Sequence, residues 1–383
     1  MAKIIYRVCH LWKVGNVAMK TLKKLKSVGQ SLWLGQLARQ SIRDASLINA
    51  IEDWSVTGMA FSPQSICLAL SETGSYDSAI ARKLKEGLYG EALAYSNIYE
   101  DVRYAADLLR PFYDRTDGVD GWAVSPVSPL STAGNHSLVL KYKQIYEQIK
   151  RPNTLLCLPA FSEHLPDIEE LVYAGVPINI ANIYSDKQYA AVAKTCLAGL
   201  ERRLDAGLKP GVSTFITINV ARLEAALEQK TDSLTASSLA VAMARKIYRT
   251  MRDLNNSPEW GRTFNAGVRP LRLVWTYCGR NQTPQDNCSL YRRLIAPYTV
   301  LALPWNVISK FVTQSVDKAP MPLDGGDCDR VLMDSIRAGL DVDLEADRLQ
   351  REYIGWLSKE WAILLESFAR RSAAVTHVQA MIS

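Results

Sequence analysis

The stretch NTLLCLPAF, residues 153–161, is an apolar run with β-strand character, and it carries one thiol, Cys157, two residues before Pro159 closes it. A short apolar run of this kind fits a strand buried on both faces, as in a parallel sheet. It is one of eight. Similar runs occupy 31–35 (SLWLG), 57–62 (TGMAFS), 121–127 (GWAVSPV), 154–159 (TLLCLP), 177–184 (PINIANIY), 213–219 (STFITIN), 271–278 (LRLVWTYC) and 299–304 (TVLALP). Amphipathic helical stretches such as LPDIEELVYAG and KQYAAVAKTCLAGLERRLDAG lie between them, with glycines where helix C-caps belong. Eight strands alternating with helices predict an α/β fold, a single parallel (β/α)8 barrel. After the eighth strand, VISKFVTQ, the loop DKAPMPLDGGDCD and two helical patterns toward residue 373 predict an extra helical layer over the barrel. The chain divides into a basic leader (1–26), the barrel with its C-terminal helices (27–375) and a tail (376–383).

The 383 residues are 48% hydrophobic and 22% charged, an ordinary globular composition. A net charge of +6 is too mild to argue a nucleic-acid partner. No acidic residue precedes Asp44, while Lys3, Arg7, Lys13, Lys20, Lys23, Lys24, Lys26, Arg39 and Arg43 are basic. Such a leader suits an anionic membrane surface, a partner or weak organelle targeting, and the plainer expectation is a solvated helix packed lightly on the barrel. Seven scattered cysteines without a CxxC pair and no secretory signal predict reduced thiols in the cytoplasm, with membrane association only through the leader. The four histidines share no metal-ligand spacing, so no zinc site is expected. No Walker loop, GxGxxG or internal repeat is present.

Longer stretches carry a resemblance. GQSLWLGQLARQSIRDASL, EDVRYAADLLRPFYDRTDGVDGWAVSPVSP, LPDIEELVYAGVPINIANIYS and RPLRLVW are similar to the bacterial transaldolase family, from about residue 27 to about 370. That resemblance implies a barrel with its chemistry at the C-terminal strand ends, and transfer of a dihydroxyacetone unit through a Schiff base on a lysine. It also implies a carboxylate, polar groups that move protons, and an arginine for the sugar phosphate. At those positions this chain differs. Gly35 stands where the first strand carries a carboxylate, Ser62-Pro63 where an amide is expected, and Pro126 in place of a glutamate. Cys157 takes the place of the lysine and Phe161 that of a threonine. Asn179 is kept, Ala181 replaces a threonine, Asn219 the arginine and Tyr277 a serine. A thiol can form a thiohemiacetal but not the protonated imine that acts as electron sink.

The expectation is therefore a barrel that has lost aldol chemistry and now binds and converts a small hydrophobic molecule. Cyclisation or rearrangement of an isoprenoid-like natural product suits aromatic walls, which stabilise carbocations. The alternative is a catalytically inactive binding or scaffold protein, and an active transaldolase of the pentose phosphate pathway is the least expected. Candidate substrate-binding residues are Phe61, Trp122, Phe161, Asn179, Asn182, Thr214, Ile216, Asn219, Trp275, Tyr277 and Trp305. Candidate catalytic residues are Tyr277, Asn219, Asn182, His164 and Cys157, although an exposed loop histidine and an inert thiol are the plainer readings of the last two. No cofactor is expected, and Mg2+ only if the substrate is a diphosphate held by Asp324, Asp327 and Asp329, for which helix capping is the favoured role. The expected partners are that small molecule, no nucleic acid, a peripheral membrane contact through the leader, and an oligomer as an open case.

Overall fold

A computed structural model describes residues 20–44, 51, 54–129, 137–276, 287–313 and 319–382. Strands β1 (Ser31–Leu37), β2 (Val56–Phe61), β3 (Trp122–Ser125), β4 (Thr154–Pro159), β5 (Ile178–Ile183), β6 (Thr214–Ile218), β7 (Arg272–Thr276) and β8 (Thr299–Leu303) form a closed parallel barrel in chain order. Closure runs through β1 and β8, with Ser31 opposite Val300. The predicted (β/α)8 architecture is the observed one. The two C-terminal helical patterns are the helices Cys328–Arg337 and Val342–Ile382. The latter continues without a break past the expected start of a tail at 376. Residues 20–28 of the leader form a helix with Leu25 buried, and residues 1–19 lie outside the described residues. Among the described residues no helix is long and apolar enough to cross a membrane.

Alternate strand residues point into the barrel. Trp33, Trp122, Val124, Leu155, Phe215, Val274, Val300 and Ala302 make an interior cluster distinct from the larger core between sheet and helices. The rings of Trp33 and Trp122 pack 5.0 and 5.8 Å from Phe215, centre to centre. Trp33 leaves no room on β2: a Cβ at Gly58 would come within 2.4 Å of the indole, so the strand needs glycine there. The base is shut by Arg272, which donates to Val119 O (2.6 Å), Ser31 Oγ (2.8 Å) and Asp120 Oδ1 (3.1 Å). Trp122 belongs to this floor, its Nε1 donating to Gly118 O at 3.1 Å, and is not the binding residue expected from the sequence. Among the described residues the barrel is packed below, and its cavity lies at the C-terminal mouth.

The segment leaving β1 is pinned by a buried polar cluster. Arg39 Nε donates to Asp101 Oδ1 at 2.6 Å and its Nη2 to Asn97 O at 3.1 Å. The Tyr76 hydroxyl donates to Asp101 Oδ2 at 2.9 Å and accepts from the Arg39 amide at 3.1 Å. Arg39, Asp101 and Tyr76 are all essentially inaccessible. Burial outweighs the pull of Arg39 and lifts the Asp101 carboxyl to about 6. Removing one partner of such a pair leaves a buried charge without compensation, which costs about 3–5 kcal/mol, whereas replacing both with apolar groups costs far less. Arg39→Met should therefore lower unfolding free energy by that amount in urea titrations, and Arg39→Met with Asp101→Leu should recover most of it.

The raised carboxyl also has a sign. An acid that binds its proton more readily in the folded chain contributes stability below the unfolded value of 3.8 and loses it as pH rises to about 6. The stability difference between wild type and Asp101→Asn, measured by urea unfolding, should shrink as pH rises from about 4 to about 6. A gap that widens over that window would refute the assignment.

Candidate active site

At the mouth two of the strand ladders are interrupted. The β1–β2 register shifts between Leu34 and Leu37, and the β5–β6 register between Ile180 and Ile183. Each irregularity holds a non-glycine residue in the left-handed region, Gln36 at φ 56° and Asn182 at φ 70°. Bulges and strained backbone of this kind gather at barrel rims beside active sites, where they redirect side chains. Here both residues line the same cavity.

The cavity has a volume of about 130 Å3. Cys157 of β4 and Asn179 of β5, paired in register, stand on its floor with Thr217 of β6. Thr217 donates to Asn179 Oδ1 at 2.7 Å. That contact fixes the amide, whose NH2 makes no hydrogen bond among the described residues and is left as a donor toward the cavity. Asn182 donates to Ala160 O (3.2 Å) and Gln350 O (3.1 Å), while its own Oδ1 is buried without a partner among the described residues. Asn219 lines the wall and caps the helix Val220–Leu227 by accepting from the Arg222 amide. The roof is the C-terminal helix, which supplies Tyr353, Trp356, Leu357 and Trp361. No Asp, Glu, Lys, Arg or His is among the described residues that line the cavity.

The match to known proteins is extensive. Residues 32–368 fit the model of the transaldolase/fructose-6-phosphate aldolase family. The chain belongs to that family. A transaldolase of Thermobifida fusca is 27% identical over 364 residues, covering 93% of this chain and 99% of the relative. Transaldolase 2 of Streptomyces coelicolor is 28% identical over 364 residues, 90% of this chain and 95% of the relative. The transaldolase of Mycobacterium tuberculosis is 26% identical over 355 residues, with 90% and 95% covered.

Relatives named for the parent activity thus run along nearly the whole of this transaldolase-family chain, which overturns the expectation of a barrel turned to cyclising a hydrophobic natural product. It overturns the inactive scaffold as well. Size gives a physical reason: a cavity of about 150 Å3 takes up a single benzene, so one of about 130 Å3 does not enclose an isoprenoid. The family indicates an enzyme.

Several residues expected at the site stand elsewhere. Thr214 and Ile216 share the outward face of β6, because Phe215 and Thr217 point inward, and Ile216 packs in the sheet–helix core. Trp275 is outward on β7 for the same reason, with Val274 and Thr276 facing the cavity. Phe161 and His164 contact each other edge-on at 5.4 Å beside a separate cleft, and His164 Nδ1 lies 3.3 Å from Pro159 O. Trp305 opens the helix after β8, stacks on Trp54 at 4.9 Å and does not line the cavity. Tyr277 lies outside the described residues.

The carboxylates of the acidic loop are engaged within the chain. Asp329 forms a paired bond with Arg249 (2.6 and 2.9 Å), Asp327 meets Arg245 and Arg330 (both 3.0 Å), and Asp324 accepts from the Gly326 amide. Asp327 does occupy the N-cap position, but its carboxylate goes to the arginines rather than to helix N–H groups. Among the described residues no cluster of three metal-ligating side chains exists. Phe61, Cys157, Asn179, Asn182 and Asn219 do line the cavity, joined by Gln36, Thr217 and the C-terminal aromatics that sequence reasoning missed. The roof had a signal in its spacing, since the apolar residues Tyr353, Leu357 and Trp361 share one helix face.

Asn182 ties the roof to the floor, so two substitutions there separate backbone from side chain. Asn182→Gly loses its hydrogen bonds, and Asn182→Ala loses them and also pays for a Cβ in the left-handed region, about 1–2 kcal/mol. Unfolding in urea should rank wild type above Asn182→Gly above Asn182→Ala. Equal stability of the two variants would show that the backbone relaxes on substitution.

Proposed function

We propose that the protein is a transaldolase-type enzyme that holds a short ketose-derived unit in the barrel mouth and makes or breaks the carbon–carbon bond beside its carbonyl. The observation that carries this reading is the cavity. It matches in size the space of about 150 Å3 that holds the six heavy atoms of benzene, and a dihydroxyacetone unit also has six. Its floor offers a fixed amide donor, Asn179, oriented by Thr217, for an oxygen that gains charge during the reaction. The buried Oδ1 of Asn182 is a ready acceptor for a hydroxyl. The apolar roof excludes water, which strengthens each of these contacts.

Imine chemistry needs an amine, and Cys157 is not one. Lys141, on the helix Ser137–Ile149, has the environment for the role. Its ammonium donates to Ser128 O at 3.4 Å, just past the β3 end, and lies 5.3 Å from the centre of the Tyr95 ring. Burial holds it below the usual lysine range, which favours the free amine. Lys141 and Tyr95 line a neighbouring cleft, and Tyr95 packs on Trp361 of the cavity roof, so reaching the cavity would require the lysine to swing out of that cleft and the two rings to part. The amine then condenses with the carbonyl, releasing water, and the protonated imine accepts the electrons of the breaking carbon–carbon bond.

Incubation with fructose 6-phosphate and an aldose phosphate acceptor should transfer a three-carbon unit. Borohydride should trap a reduced adduct that peptide mass mapping places on Lys141, and Lys141→Arg should abolish both. An adduct on another lysine would keep the reaction and move the nucleophile. Absence of transfer and of any adduct with ketose phosphates would overturn the reading.

A further inference from the structure

The cavity floor holds one reactive group that the transfer reaction does not use. Cys157 packs against the cluster inside the barrel and is half-buried where it lines the cavity. The other described cysteines are placed differently. Cys196, Cys288 and Cys328 are buried, and Cys67 is engaged by Ser367 of the C-terminal helix. Beside Cys157, in register on β5, stands Asn179, which is only 6% exposed. Its Oδ1 is taken by Thr217 at 2.7 Å, and its NH2 stays an unused donor among the described residues. Asn182, 3% exposed, adds Oδ1 as a buried acceptor without a partner among them. Buried polar groups are normally satisfied, so a donor and an acceptor left open at one cavity indicate a ligand that carries oxygen.

A thiol beside a fixed N–H donor suits attack on a carbonyl carbon, because the donor meets the oxygen on which charge develops. We infer that Cys157 is a covalent binding site for a short aldehyde. The bond from Sγ to the carbonyl carbon forms as the carbonyl π bond breaks. The thiol proton passes to the carbonyl oxygen, which gives a thiohemiacetal without any oxidant or reductant. Asn179 Nδ2 donates to that oxygen, and a hydroxyl elsewhere on the ligand has Asn182 Oδ1 as acceptor. Space sets the length: a cavity of about 150 Å3 takes up one benzene, so about 130 Å3 admits an aldehyde of no more than about six heavy atoms. The adduct needs no amine, so it does not depend on the function proposed above.

Glycolaldehyde labelled with 13C at its carbonyl carbon, added to the full-length protein, should give a saturable, protein-bound thiohemiacetal resonance with Kd in the millimolar range, ~1–10 mM. Cys157→Ser should abolish that resonance, and Asn179→Leu should weaken binding about tenfold. A thiohemiacetal carbon differs in shift from an imine carbon, so the result is read apart from any lysine chemistry. Unfolding midpoints identify a variant that has lost its fold. In that case protection of wild-type Cys157 from iodoacetamide by the aldehyde, followed by peptide mass mapping, decides. No bound resonance on wild type, a resonance that persists in folded Cys157→Ser, affinity unchanged in folded Asn179→Leu, or no protection of Cys157 would each overturn the inference, whether or not the protein transfers sugar units.

Discussion

A closed ring of eight parallel strands points half its side chains at one another, and that interior must be filled before anything else can be built. In this protein the filling is lopsided. Arg272, Trp122, Phe215 and Trp33 occupy the base and middle so completely that β2 has to pass Trp33 with a glycine, Gly58. Above them the inward residues shrink to Gly35, Ala60, Cys157, Ala181 and Ala302, and the cavity appears where side chains are small. A solid floor gives the mouth residues a rigid base, and displacing any floor ring would disturb the packing immediately beneath them.

The mouth is then shaped by departures from regularity. A strand in strict alternation would present either Ala181 or Asn182 to the interior, not both. The left-handed turn at Asn182 brings both to the cavity and frees its side chain to reach the helix above. Gln350 returns the contact by donating to Asn182 O at 3.1 Å, so the roof helix is held to the strand end through a two-way exchange. The same helix is anchored at its far end by Arg371, which pairs with Asp77 at 2.5 and 2.7 Å. The roof is thus fixed at both ends over a polar floor, with one side adjoining the open cleft that holds Arg222.

The barrel was legible because it rests on local signals. Eight apolar runs separated by helices need only period and length to be read, and β4 begins and ends where that pattern places it. The site was harder for a specific reason. Strands buried on both faces show no alternation of polar and apolar residues, so Ile216 and Trp275 look as suited to the cavity as Thr217 and Val274. Only the register fixed by the neighbouring strands, Thr217 beside Val274 and Ile218 beside Trp275, decides which set turns inward. The bulge at Asn182 and the approach of a helix more than 150 residues away in sequence depend on tertiary packing, and no local pattern announces them. Reading Cys157 and its neighbours as a wholesale loss of chemistry failed for a related reason. It treated residue types at strand ends as the whole site, and gave no weight to the cavity lining that the C-terminal helix supplies.

A strand-end arginine and lysine would place both charges inside the ring of strands. Here the described lining of the cavity is neutral, and two cations outside it, Arg222 and Lys141, sit on helices against aromatic side chains. A charge placed against a ring face in a half-buried setting keeps much of its attraction for an anion while sparing the cavity the cost of desolvating it. The floor can then be built from an amide, a hydroxyl and a thiol, groups that hydrogen-bond without demanding a counter-ion. The aromatic residues of the C-terminal helix are what allow this division, since Trp356 supports Arg222 on one side and lines the cavity on the other. In this barrel the helix that covers the mouth therefore lines the cavity as well as roofing it.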